Sequence, residues 1–427
     1  MLGAMVDRIM PRPWRLRRRA AEAEAETADS HDARDAAPVR VLVIAPQPYY
    51  VDRGTPIDVN LLVRALCQRG HAVELVTYHG GEDRHYPGLT LHRIRAPRWL
   101  APAGAGLSLR KLACDVLLLA KAWAVLRRAR PDVVHAGEEA VFFAMAFRAL
   151  HRTPYVYDMD SSIAQQVVEQ MPLLRPAAGL LNACERAAVR RCLAAAPVCR
   201  ALEELAHRHA AAHVQRLDDI SLLRVDTPPE PGRVRERAHL RDDDPIVMYV
   251  GNFQKYQGLD LLLAAATRAL EAGAKFHLVL LGGTDAQIRA YQQRAAEVGA
   301  FDRVHCLGPW PLERLHEALA DADVLTVPRT KGINTPMKLF PFLHSGKAVL
   351  ATDLPTHTQV LDERIAMLAA PEPGPFAEAL TRLLDDAPLR RRLGEAGRAF
   401  VEANHTWDAH CQRVERLYAY VQQQVQG

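Results

Sequence analysis

Residues 39–46, VRVLVIAP, form an unbroken β-branched and apolar run, the pattern of a strand buried on both faces. After the short loop YYVDRGTP, Ile57, Leu61, Ala65 and Leu66 recur at helical spacing, and Gly70 supplies a stop. Strand character returns in HAVELVTY (71–78), which completes one β-α-β unit with Gly54 in its first loop. The alternation continues through a helix over 110–128, the strand DVVHA (132–136), a helix over 139–150 and the strand YVYDM (155–159). Strands and helices in this order predict a doubly wound parallel sheet. A polar, proline-rich stretch over 224–244 interrupts the pattern, which restarts at IVMYVG (246–251). Further strands are expected near 277–282, 303–307, 323–327, 348–352 and 365–369. The last segment, 406–424, repeats Trp407, Cys411, Val414, Leu417, Tyr418 and Val421 at i+3 and i+4, an amphipathic helix that must dock.

A chain of 427 residues has room for two domains, each with its own core. The division expected is a charged, disordered tail (1–38), a first domain (39–223), a linker (224–245), a second domain (246–404) and a closing helix (405–427). The tail sets six arginines in its first 20 residues against AEAEAETADSHDARD, with no apolar run of a signal peptide. A net charge of +4 gives no case for nucleic acid as a partner. Seven scattered cysteines, without CxxC or paired Cys/His spacing, read as reduced thiols of a cytoplasmic protein and offer no metal site. The apolar stretch 114–126 is interrupted by Lys121 and falls short of the roughly 20 residues that span a bilayer.

In open α/β sheets ligands bind beyond the carboxyl ends of the strands, so the chemistry is sought in those loops. The loop around Gly54 lacks G-x-G-x-x-G, which argues against a nicotinamide site. Gly282 and Gly283 admit two readings, a close approach of backbone to ligand and a plain strand-ending turn. In VPRTKGINTPMKLFPFLHSGKAVLATD (327–353), Arg329, Lys331, Asn334, Thr335 and Lys338 surround a loop that opens a helix, with Thr335 as cap and Pro336 in the first turn. Cations beside free N–H groups at a helix start suit a diphosphate. Asp158 and Asp160 follow a buried strand and bring two carboxylates to the cleft edge. Asp158 is equally suited to cap the next helix, so the catalytic role is assigned to Asp160. His135, His151 and His357 are isolated and receive no role.

These blocks, in this order, resemble the retaining glycosyltransferases of family 4: strand–RG–helix–RGHAVELVTY, PDVVHA, YDMDSS, YVGNFQKYQGLDLLL, LLGGT, ADVLTVPR and NTPMKLFPFLHSGKAVLATDLPTHTQVL. The resemblance covers roughly 39–420. It implies the GT-B architecture, two Rossmann-like doubly wound domains facing a cleft, with a last helix that crosses back to the first domain. It further implies a nucleotide-sugar donor on the second domain, a glycan or lipid-linked acceptor on the first, and neither cofactor nor obligatory metal. The donor positions that carry over are Gly54, Asn252, Lys255, Gln257, Gly282, Gly283, Arg329, Lys331, Asn334, Thr335 and Lys338. Three departures are visible. Ile333 and Pro341 stand where the family commonly has two glutamates; Asn252 and Gln257 replace its usual arginine and lysine, with Lys255 between them; and Asp160 stands where a histidine is frequent.

The expected function is therefore sugar transfer with retention, in which positioning and charge stabilisation supply most of the catalysis. A catalytically silent relative that binds a glycan or a partner is the reading from another class, and a sugar-nucleotide epimerase is a third. Arg98, Trp99, Arg110, Lys111, Lys121, Trp123, Arg127, Arg128 and Arg130, interleaved with apolar residues, suit peripheral contact with an anionic membrane at the inner face. A solvated helix face is the other reading of the same residues. Because the first 38 residues lack apolar periodicity, their deletion is expected to leave the melting temperature unchanged; a large fall would show that they pack on a domain.

Overall fold

The computed structural model describes residues 37–427 apart from 52–53, 98–99, 101–107, 226–229 and 231. The expected tail, save residues 37 and 38, and the pair Arg98 and Trp99 lie outside the described residues. Twelve strands are described: β1 Arg40–Pro48, β2 Ala72–Tyr78, β3 Leu89–Arg93, β4 Val133–Gly137, β5 Tyr155–Met159, β6 Ala194–Pro197, β7 Ile246–Val250, β8 His277–Leu281, β9 Val304–Gly308, β10 Val324–Val327, β11 Ala348–Thr352 and β12 Met367–Ala369. They form two six-stranded sheets, ordered β3-β2-β1-β4-β5-β6 and β12-β11-β10-β7-β8-β9. Neighbours pair in parallel, so both sheets are doubly wound, and the order reverses between β1 and β4 and between β7 and β10. This is the GT-B arrangement.

The apolar runs follow from burial of both sheet faces. Val41 and Val43 of β1 point into one core cluster, while Leu42 and Ile44 point into the opposite one. In β7 the same division sets Val247 and Tyr249 against Ile246 and Met248. Alternate side chains leave opposite faces of a strand, so a strand covered on both sides cannot alternate apolar with polar.

Two strands were not anticipated. β3 is an edge strand, LTLHR, half-exposed and without an apolar run, and β6 is only AAAP, a composition poor in strand formers. The expected linker also needs amendment. Its helix Arg233–Ala238 buries Val234 in the second domain's core, and Asp321 accepts hydrogen bonds from the Gly232 and Val234 amides at 2.6 and 2.8 Å. The expected boundary of the tail shifts as well, because Gln422 and Gln426 each donate to the Ala37 carbonyl at 2.8 Å.

The closing helix Trp407–Gln426 is capped by Thr406 and lays Val414, Leu417, Tyr418 and Val421 into the first domain's core. Arg69 and Glu415 pair across this contact, and Tyr418 meets Nδ1 of His135 at 3.0 Å. The chain thus passes between domains twice, and the two passages are tied together. The Ser221 amide donates to the His405 carbonyl at 3.0 Å, and His405 Nδ1 donates to the Asp219 carbonyl at 2.8 Å. Among the described residues no helix is long and apolar enough to cross a membrane.

Leu417 is 0% exposed. Leu417→Ala is expected to cost about 2–5 kcal/mol, the usual range for a buried leucine, in chemical unfolding. A loss below roughly 0.5 kcal/mol, typical of a surface change, would mean that the helix does not dock as described.

Candidate functional site

Strand order in the second sheet reverses between β7 and β10, which opens a crevice beyond their carboxyl ends. The loop after β7 meets Lys338, from the segment after β10, and the loop after β8 packs in turn on the β7 loop. The Lys338 ammonium donates to the Tyr249 hydroxyl at 2.9 Å and to the Gln257 side-chain carbonyl at 3.2 Å, and lies 4.1 Å from the centre of the Tyr249 ring. Tyr249 in turn donates to the Asn252 carbonyl at 2.7 Å. Burial, with the Arg329 charge as a lesser cause, pushes the Lys338 pKa down to about 7. A group that titrates near neutrality at a crevice is poised to respond to an arriving anion.

Glycine is required where these loops touch. A Cβ at Gly251 would overlap the Lys338 ammonium, and one at Gly282 would overlap the Gly251 carbonyl; both glycines have positive φ, +148° and +122°. A Cβ at Gly283 would press on the Phe253 ring at 2.7 Å. The pair Gly282-Gly283 therefore lets loops nest on one another. Gly54, by contrast, is the first residue of the helix Gly54–Gln68, exposed, with open space where a Cβ would stand, so nothing there demands glycine.

Arg329 is 8% exposed and braces its own loop. It donates to the Asn334 carbonyl at 3.0 Å and to the Asn334 side-chain oxygen at 3.1 Å, beneath the Tyr256 ring. Lys255, Asn252 and Lys331 are exposed at the rim, and Gln257 is buried as an acceptor for Lys338. The expected helix start is corrected: the helix runs Leu339–His344, with Lys338 in the cap position and no side-chain cap, and Thr335 lies four residues upstream with its hydroxyl buried. Ile333 offers its carbonyl to Gln359 at 2.8 Å, and Pro341 is buried within the short helix.

The first domain contributes carboxylates to the opposite lip. Asp158, the penultimate residue of β5, faces Nε2 of His135 at 3.4 Å, a partner the sequence reading had left without a role. Asp158 does not cap the next helix. Ser162 does so, accepting from the Gln165 amide at 3.3 Å and donating to Glu185 at 2.8 Å. Asp160 is partly exposed, and burial together with Asp158, Glu138 and Asp219 holds its pKa well above the ordinary range. Asp58, Asp219 and His410 line the same cavity as Asp158 and Asp160, and none of the three was singled out in the sequence. His357 is fully buried, with Nδ1 on the Thr352 carbonyl at 2.8 Å and a pKa lowered to about 4 by burial, a packing residue. The two lips meet where the Ala201 amide donates to Gln359 at 3.1 Å.

Both halves match known families. Residues 53–217 match the glycosyl transferase 4-like domain, and residues 244–386 match glycosyl transferases group 1. A D-inositol 3-phosphate glycosyltransferase of Corynebacterium diphtheriae is 30% identical over 182 residues, 40% of this chain and 42% of that protein. The chain thus spans about two fifths of the length of such curated relatives. Among solved structures, sucrose-phosphate synthase from Thermosynechococcus elongatus superposes with a TM-score of 0.74 at 21% identity, covering 90% of this chain and 98% of that one. Anabaena HepE in complex with UDP-glucose gives 0.68 at 13% identity, covering 89% and 99%. At such identities these structures speak for the fold.

The depressed pKa of Lys338 sets a pH dependence. Above about pH 7 the folded state releases a proton that the unfolded chain keeps up to the ordinary 10.5, so this group adds stability as pH rises through that window. Unfolding measured across the window is expected to show wild type gaining stability relative to Lys338→Met. A difference independent of pH would mean that Lys338 is not perturbed.

Proposed function

We propose that this chain, whose two halves match a glycosyl transferase 4-like domain and glycosyl transferases group 1, is a GT-B-fold glycosyltransferase that moves a sugar, with retention, from a nucleoside diphosphate to a glycan or lipid-linked acceptor. The observation that carries this reading is the Lys338 ammonium at the β7–β10 crevice, held by Tyr249 and Gln257 where the β7 and β8 loops nest. A diphosphate placed there meets an ammonium that can leave two neutral acceptors for charged ones, a stronger pairing. Charge arriving beside Lys338 favours its protonated form, so donor binding takes up a proton near neutral pH. Asp160, on the opposite lip, holds the acceptor against the donor sugar, and the leaving diphosphate accepts the acceptor's proton. The chemistry asked of the protein is then mainly positioning and charge stabilisation. Anabaena HepE was solved with UDP-glucose, which makes UDP the first nucleotide to try.

Ile333 and Pro341, at the positions where the family commonly carries glutamates, favour a second reading, a silent relative that binds donor or glycan without transfer. A panel of nucleotide sugars, read by thermal stabilisation and by release of nucleotide, separates the two, since stabilisation without turnover fits only the second. In calorimetry with UDP, Lys338→Ala is expected to weaken binding roughly tenfold or more, as loss of a charge-assisted contact does, and Lys255→Ala to cost less. Equal, small losses would remove Lys338 from the donor site.

We further place the acceptor side against an anionic membrane surface. In the helix Leu109–Ala129, Leu109, Leu112 and Val116 are 87%, 60% and 61% exposed at i, i+3 and i+7, beside exposed Arg110. Such a stripe suits insertion at a lipid interface. Sedimentation with phosphatidylglycerol vesicles at low salt is expected, and Leu112→Glu is expected to abolish it; failure of the wild type to sediment would end the proposal.

A further inference from the structure

A cavity of about 20 Å³ lies between the end of β5, the helix Gly54–Gln68, the crossing segment and the closing helix. That is room for one water-sized group. Asp58, Asp158, Asp160, Asp219 and His410 line it, together with Leu61, Leu62, Val198 and Leu217. Asp218, also in the lining, is already answered by Arg216 at 2.8 Å and by Arg413 at 3.6 Å, and Asp158 lies 3.4 Å from Nε2 of His135. Apart from burial itself, the groups acting most strongly on Asp58 and Asp160 are all carboxylates, Asp58 sharing a hydrogen bond with Asp219 among them, and both carboxyl groups are held well above their ordinary range. Repulsion of this kind is relieved by a cation or by protonation.

A second observation points to a ligand. His410, which lines the cavity, is 5% exposed, and both of its ring nitrogens are buried with no hydrogen-bond partner among the described residues. Buried polar groups are ordinarily satisfied, and burial lowers this imidazole's pKa to about 4, which leaves it neutral and able to accept an N–H. The cavity also borders the junction of the two domains, because Val198 lies three residues before the Ala201 amide that bonds Gln359. Asp58 and Asp160 keep part of their surface exposed.

We propose that the acceptor carries a primary amino group, and that its ammonium enters this cavity to be held by Asp58, Asp160, Asp219 and His410. This rests on the transfer reading above. Only the nitrogen fits within the cavity, so the ring that bears it stays in the cleft and its hydroxyls face the donor. An ammonium brings charge and three N–H donors, which match carboxylate oxygens and an imidazole nitrogen.

The test is calorimetry at neutral pH on the full chain with D-glucosamine, N-acetyl-D-glucosamine and D-glucose, with ammonium chloride against sodium chloride as a control. D-glucosamine is expected to bind at least tenfold more tightly than the two neutral sugars, and the preference is expected to collapse in Asp58→Asn and in Asp160→Asn. Equal affinity for the three sugars would overturn the proposal. So would a preference that survives both substitutions, or ammonium chloride binding as tightly as D-glucosamine, which would make this a site for an inorganic cation. UDP titrated in the same instrument keeps the two claims apart. Nucleotide binding without amine preference refutes the acceptor claim alone, and amine preference without nucleotide binding refutes the transfer reading.

Discussion

The Lys338 ammonium, held on a tyrosine hydroxyl and a glutamine carbonyl in place of a carboxylate, is the constraint around which the second domain's cleft edge is arranged. Removing a charge from water onto neutral dipoles is costly, which is why its pKa falls to about 7. The neighbouring features follow from making that position possible. Gly251 is bare so that the ammonium can pass, Gly282 is bare so that the next loop can close on Gly251, and Arg329 spends its donors on Asn334 to keep the intervening chain in place. Positive charge is thus concentrated on one side of the crevice and held ready for an anion.

Across the cleft the charge has the opposite sign. Asp58, Asp160 and Asp219 are drawn from three elements far apart in the chain, and His410 comes from a fourth. The closing helix is what brings His410 there, and the same helix buries Leu417 and Tyr418 in the first domain after the chain has left the second. Its docking is therefore a condition for the acceptor lip as well as for stability. The paired bonds between Ser221, His405 and Asp219 fix both passages at one point, next to the carboxylates.

The sheets were legible because burial on both faces leaves an apolar run that names the strand almost to the residue, as at Tyr155–Met159. β3 and β6 were not, since an edge strand and a run of alanines carry no such signature. At the site, Lys338 and Asp160 stand out as candidates because each lies in the segment that follows a strand. Their surroundings do not. Thr335 and Pro336 look like a helix start, yet the helix opens only at Leu339. Asp58, Asp219 and His410 are separated by more than 150 residues at each step, and no local pattern joins them. The glycine pair was ambiguous in sequence, and the structure assigns it to packing between loops.

The account stands most directly on where a nucleoside diphosphate sits. A crystal structure of the protein with UDP is expected to show a phosphate oxygen within hydrogen-bonding distance, about 2.7–3.1 Å, of the Lys338 ammonium, with the diphosphate beyond β7 and β10. UDP bound elsewhere, with Lys338 still held by Tyr249 and Gln257 alone, would contradict it.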